Sequence, residues 1–122
     1  MGPEAKLYKK LKQKTPRIIW NRIENISILG MPDVLGYNTF GHFFTVELKI
    51  TTANKLKFSP HQIAWHGAHP RNTFILAQAL GPRSLKLFPG SMVQELAACG
   101  FKLEACSLGL EACASYLDSL GA

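Results

Sequence analysis

The sequence predicts a mixed α/β fold, with a central sheet carrying helices on its faces. Segments that alternate with the two-residue period of strands are interspersed with segments of helical spacing, in the order helix, three strands, helix, one or two strands, helices. Gly and Pro signals punctuate the boundaries. The length, 122 residues, suits one hydrophobic core and is too short for two good ones.

Residues 4–14 (EAKLYKKLKQK) place Ala5, Leu7, Tyr8 and Leu11 on one helical face with lysines around the rest, and Thr15-Pro16 ends the helix. Arg17–Ile26 (RIIWNRIENI) is rich in β-branched and aromatic residues and reads as a strand. After Gly30-Met31-Pro32, Asp33–Asn38 and His42–Ile50 read as two strands joined by Thr39-Phe40-Gly41. A loop of that length with Gly last is a common hairpin connection, the Gly taking the left-handed position. Opposed positions in this hairpin sum to about 80, which brings Asp33 opposite Glu47. Val46, Leu48 and Ile50 then point to the core, while Thr45, Glu47 and Lys49 come out on the other surface beside Asp33. Ser59 as N-cap and Pro60 as first helical residue start a helix running to about Ala68. Thr73–Ala79 is a buried strand, and Ser84–Phe88 is another after the Gly81-Pro82 turn. Residues 91–120 are helical in composition. Leu96, Leu103, Leu110 and Leu117 recur at seven residues in register with Cys99, Cys106 and Cys113, and Gly100 and Gly109 divide the segment into two short helices. This heptad reads either as an amphipathic face packed on the sheet or as a homodimer seam.

Composition narrows the class. Apolar residues at 47% and charged residues at 18% exclude a disordered chain, and no apolar stretch approaches the ~18 residues of a membrane span. No apolar run follows the N-terminal lysines as in a secretory signal, and three cysteines without a CxxC pair fit no disulfide scaffold or four-ligand zinc knot. A soluble, reduced, cytoplasmic protein is expected. The net charge of +6 is unevenly spread: residues 1–90 hold 13 basic and four acidic side chains, and residues 91–122 hold one basic and four acidic. Such a basic surplus on a small domain implies a polyanionic partner, DNA above all. It also singles out the four carboxylates of the basic part: Glu4, Glu24, Asp33 and Glu47.

Two carboxylates and a lysine converging from paired strands are the chemistry-bearing constellation. Carboxylates are hard ligands suited to Mg²⁺, which keeps several waters and uses one or two protein carboxylates plus phosphate oxygens. Such an ion polarises a phosphodiester and generates a nucleophile from water. Lys49 is placed to orient that water or to neutralise charge on the phosphate. The competing reading of the same spacing is an exposed cross-strand ion pair of Asp33 or Glu47 with Lys49.

GMPDV, then VELK after the hairpin, then FSPHQIAWH, resemble the PD-(D/E)XK nuclease superfamily. Within it they are most similar to the small phage-type nucleases of the VRR-NUC and Holliday-junction-resolvase-like groups. The resemblance covers about residues 4–80. It implies a restriction-endonuclease-like αβββαβ core with extra C-terminal helices. That is one nuclease domain over 1–122, with 1–90 as catalytic core and the helical segment 91–122 outside the family pattern. It further implies that Asp33 and Glu47 bind Mg²⁺ (with Mn²⁺ substituting), joined by the backbone carbonyl of Leu48. Lys49 becomes the catalytic lysine and Gln62 an accessory group near the scissile phosphate. Either Glu4 or Glu24 adds a carboxylate to the metal site. The implied activity is metal-dependent DNA endonuclease cleavage, structure-specific for junction or branched DNA in recombination, repair or phage replication. The rivals are a non-catalytic nucleic-acid-binding module, a site-specific homing or restriction-type endonuclease, and a structural protein whose C-terminal helices bind a partner.

Arg22, Lys55, Lys57, Arg71, Lys9 and Lys10 are candidate phosphate contacts, arguing for DNA binding by their sum. Trp20 and Trp65 suit a core or interface role better than base stacking. His42, His61, His66 and His69 match no zinc-ligand spacing.

Overall fold

The structure is a computed structural model that describes residues 1–24 and 28–122. Among these described residues four α-helices and six strands occur in the order α1 (Pro3–Lys14), β1 (Ile19–Arg22), β2 (Val34–Tyr37), β3 (Phe43–Thr51), α2 (Pro60–Ala68), β4 (Thr73–Ala79), β5 (Ser84–Pro89), α3 (Val93–Cys99), β6 (Ser107–Leu108) and α4 (Leu110–Asp118). The strands form one mixed sheet in the order β1-β2-β3-β4-β5-β6. Every neighbouring pair is antiparallel except β3 and β4, which are parallel because α2 carries the chain back across the sheet.

Side chains alternate between two cores. On one face Val34, Phe44, Val46, Leu48, Phe74, Leu76, Leu85 and Leu87 pack against Leu7, Tyr8 and Leu11 of α1 and Cys113 and Leu117 of α4. On the other, Ile75, Ala77, Ala79 and Phe88 pack against Leu56, Phe101, and Val93 and Leu96 of α3. The β2–β3 register pairs Val34 with Val46 and Tyr37 with Phe43, the sum of 80 read from the loop, and Gly41 is left-handed at φ 72°. Asn38 locks this loop to the C-terminal segment. It is 2% exposed, accepts from the N–H groups of Phe40 and His42, and donates to the carbonyls of Leu117 (3.0 Å) and Leu120 (2.8 Å).

Three expectations are corrected. The strand expected over 17–26 is shorter: Pro16 and Arg17 lie in a turn closed by Ile18 N–H to the Thr15 carbonyl, and residues 25–27 fall outside the described residues. Asp33 ends the 28–33 connection and does not belong to β2, although its carbonyl still accepts from Ile23 N–H at 2.9 Å. The Leu/Cys heptad makes no continuous seam. Gly100 (φ 84°) and Gly109 (φ 89°) reverse the chain, and β6 lies between them. Leu96 thus packs on one face of the sheet, and Leu110 and Leu117 on the other. A homodimer seam along this repeat is excluded by that division. Among the described residues no helix is long and apolar enough to cross a membrane.

Candidate metal and phosphate site

Asp33 and Glu47 meet at the open end of β2. The chain reaches Asp33 through Gly30 (φ 82°), whose backbone lies so close to the His61 carbonyl and the Gln62 N–H at the start of α2 that a Cβ would collide with them. Asp33 then accepts a hydrogen bond through Oδ2 from Leu48 N–H at 2.7 Å. A strand residue turns its N–H and C=O to the same edge, so the Leu48 carbonyl also points to the side of β3 where Asp33 sits. Glu47, the residue before Leu48, faces the α2 side of the sheet.

The surface expected to carry Glu47 into solvent is not solvated. Glu47 is only 3% exposed, and its Oε1 is buried with no hydrogen-bond partner. Its other oxygen accepts from Gln62 Nε2 at 3.3 Å, and Gln62 Oε1 in turn accepts from Lys49 Nζ at 3.0 Å. Gln62 is held for this task by a capping box: its N–H donates to Ser59 Oγ (3.1 Å) and its Oε1 accepts from Ser59 N–H (3.0 Å). Lys49 also donates to the Lys57 carbonyl at 2.6 Å and lies 4.7 Å from the centre of the Phe58 ring. The two ion pairs among the described residues are Lys14–Glu111 and Arg22–Glu24, so an exposed Asp33 or Glu47 pair with Lys49 is not what this strand builds.

The electrostatics follow from burial. Desolvation, followed by the charge of Asp33 and a hydrogen bond to it, pushes Glu47 far above the ordinary carboxyl range. Asp33 is also raised by burial, against the stabilising Leu48 N–H and its bond to Glu47. Two close carboxyls out of water cannot readily both ionise, so the pair holds a proton near neutrality. Glu4, at the start of α1, is raised by burial and then by Asp33, with Lys49 and Arg22 opposing. Glu24 adds its charge to Asp33. Asp33 is therefore the carboxylate through which Glu4, Glu24 and Glu47 are linked.

The residues singled out from sequence divide accordingly. Asp33, Glu47, Lys49, Gln62 and the Leu48 backbone come together. Of the two further glutamates, Glu4 lines the same groove as Lys49, Asn54, Lys55 and Lys57, whereas Glu24 is engaged by Arg22 Nε at 2.7 Å. The Arg22 guanidinium is thus committed to Glu24, with Tyr8 beneath it at 5.2 Å, and is not a free phosphate contact. Lys9 is exposed on α1, and Lys10 lines a different cleft with Leu7, Gln78 and Arg83. Arg71 precedes β4 at the opposite end of the parallel pair from Lys55 and Lys57.

Trp20 is a core residue, its Nε1 donating to Thr15 Oγ1 and its ring edge-on to Tyr8 and Phe44. Trp65 is half-buried and stacks on His69 at 4.0 Å. The histidines do not converge: His66 is fully buried, its pKa lowered to about 4 by desolvation, while His42 bonds Asn72. Sequence reasoning missed Gly30, Phe58 and the Lys57 carbonyl as parts of the site. Only the clustering of Phe58 just before the Ser-Pro helix start signals them.

Among the described residues no three or more His, Cys, Asp or Glu side chains are arranged as a metal cluster. Two carboxylates and a carbonyl suit a hard cation that keeps its waters, and the orphaned Glu47 Oε1 is an acceptor such an ion would satisfy. The all-oxygen donor set suits Mg²⁺ or Mn²⁺ better than zinc, whose sites usually include nitrogen or sulfur ligands. No family model matches the chain, and searches of curated proteins and of solved structures find no match.

Proposed function

We propose that this protein is a metal-dependent DNA endonuclease with a PD-(D/E)XK site, hydrolysing phosphodiesters of junction or branched DNA inside the cell. The observation that carries the reading is the pair of a buried Glu47 and a half-buried Asp33, with Lys49 bridged to Glu47 through Gln62. A solvated ion pair would be neither buried nor short of partners. The sequence motif, the mixed sheet flanked by helices and the groove lined by Lys49, Lys55 and Lys57 support the same reading.

Asp33, Glu47 and the Leu48 carbonyl would hold the cation, with Glu4 next to them. A divalent ion there supplies Lewis-acid activation of the phosphodiester and of water. The protein's own groups do the rest. Asp33 and Glu47 would have to give up their shared proton to hold a cation, so occupancy would depend on pH. Two acceptors, Gln62 Oε1 and the Lys57 carbonyl, fix the Lys49 ammonium while leaving it a third N–H for the attacking water or the phosphate oxygen. Lys55 and Lys57 bring the backbone of the substrate into the groove.

The test is cleavage of plasmid, four-way junction, flap and linear duplex with Mg²⁺ or Mn²⁺, beside Asp33→Ala and Lys49→Ala. Loss of at least 100-fold in both variants is expected, in line with removing a ligand or an electrostatic group. Cleavage that survives in both ends the assignment. Salt-sensitive binding without any metal-dependent cutting would leave a binding module.

A further inference from the structure

One corner of the sheet, on the same face as Asp33 and Glu47, is bare. β1, β2 and β3 align Ile19, Tyr37 and Phe43 in one row, since Ile19 pairs with Tyr37 and Tyr37 with Phe43. The next row towards the carboxyl pair is Asn21, Leu35 and Thr45. Ile19 is 61% and Phe43 58% exposed, so among the described residues nothing covers these two side chains, while Tyr37 between them is half-buried. The Tyr37 and Phe43 rings lie with centroids 4.4 Å apart and tilted by 46°, forming a joint aromatic surface. The two rows hold no charged side chain.

The cations stand at the rims. Lys49 and Lys57 lie beyond the carboxyls, and at the other end is the exposed Arg71. The Arg71 turn is fixed beside Phe43 because the Asn72 carbonyl accepts from Thr45 N–H (3.0 Å) and its side-chain oxygen pairs with His42 Nε2 (2.8 Å). Along β2, Tyr37 is four residues from Asp33, or about 13 Å at the rise of a strand.

We infer that this corner is a stacking platform for unpaired nucleobases, which makes the substrate a DNA with a single-stranded stretch next to the cut phosphate. The inference rests on the nuclease reading and names its substrate class. An uncharged apolar face gives nothing to a duplex, which presents its sugar–phosphate backbone. Unpaired bases stack on aromatic rings with little regard to sequence while rim cations track the backbone. A strand whose phosphate lies at Asp33 and Glu47 has the length of about four stacked nucleotides, at about 3.4 Å each, to reach Tyr37 and Phe43.

Fluorescence anisotropy without metal tests this, using a labelled 12-nucleotide oligo(dT) and a 12-base-pair blunt duplex. The oligonucleotide should bind more tightly than the duplex. Phe43→Ala should weaken it by about 5- to 100-fold, the range for losing one stacked base, with duplex binding and melting temperature unchanged. Phe43→Trp should restore binding. Equal loss for both DNAs, or no loss, overturns the platform. So does a Phe43→Ala effect confined to a dimer-to-monomer change in sedimentation, which would make the corner a contact with a second copy. A protein that binds oligo(dT) through Phe43 yet never cleaves with Mg²⁺ or Mn²⁺ would sink the nuclease reading alone. Metal-dependent cleavage of duplex with no Phe43 dependence would sink the platform alone.

Discussion

Glu47→Gln should make the metal-free protein more stable while removing its activity. In the folded protein this carboxyl is 3% exposed, has one oxygen without a partner and faces Asp33, and all of these raise its pKa. In the unfolded chain it titrates near 4.5. As pH rises above that value the unfolded state releases a proton that the folded state retains, so the folded state loses stability. This loss continues until the pH passes the raised folded pKa, and the contribution is intact only below the unfolded one. The slope is about 1.4 kcal/mol per pH unit, so between pH 4.5 and about pH 7 the wild type forfeits about 3 kcal/mol at this residue.

Glutamine keeps the shape and the bond to Gln62 and does not titrate. Differential scanning calorimetry in EDTA should show the variant and the wild type melting together near pH 4. At pH 7 the variant should lead by about 9–18 °C, given roughly 3–6 °C per kcal/mol for a domain of this size. A variant that melts at or below the wild type at neutral pH, or a gap that does not grow with pH, would refute the buried carboxyl pair.

Gly30→Ala should cost about 1–3 kcal/mol in denaturant melts, because the residue is left-handed and its Cβ would strike the backbone at the start of α2. Cleavage should fall with it, since Gln62 sits at the point of contact; unchanged stability would remove Gly30 as the link between Asp33 and α2. Asn38→Ala should cost about 1–3 kcal/mol by removing the donor to the Leu117 and Leu120 carbonyls and the acceptor of the Phe40 and His42 N–H groups. Urea titration checks it, and a loss below ~0.5 kcal/mol would mean the loop and α4 are not coupled.

The parts of the molecule legible in sequence are those fixed by local geometry. A three-residue loop ending in left-handed Gly41 sets the β2–β3 register and hence the meeting of Asp33 and Glu47. Ser59-Pro60 with Gln62 three residues on spells out a capping box. What sequence concealed depends on neighbours distant in the chain. Glu47 is buried at the point where Gln62 of α2 reaches its carboxylate, which no period-two pattern reveals. The Leu/Cys repeat kept its spacing, but Gly100 and Gly109 send its leucines to opposite faces of the sheet. The choice between Glu4 and Glu24 turns on Arg22, two residues from Glu24, taking the latter's carboxylate. Ile19, Tyr37 and Phe43 come from three strands, and only the register places them in one row.

The central claim is that Asp33 and Glu47 jointly hold one divalent cation. Crystals soaked in Mn²⁺ and measured at its absorption edge test it most directly. An anomalous peak about 2.0–2.3 Å from carboxylate oxygens of both residues and from the Leu48 carbonyl is the result the account requires, and it should vanish in Asp33→Asn. Strong Mn²⁺ peaks elsewhere on the surface, with none between these two carboxyls, would contradict it.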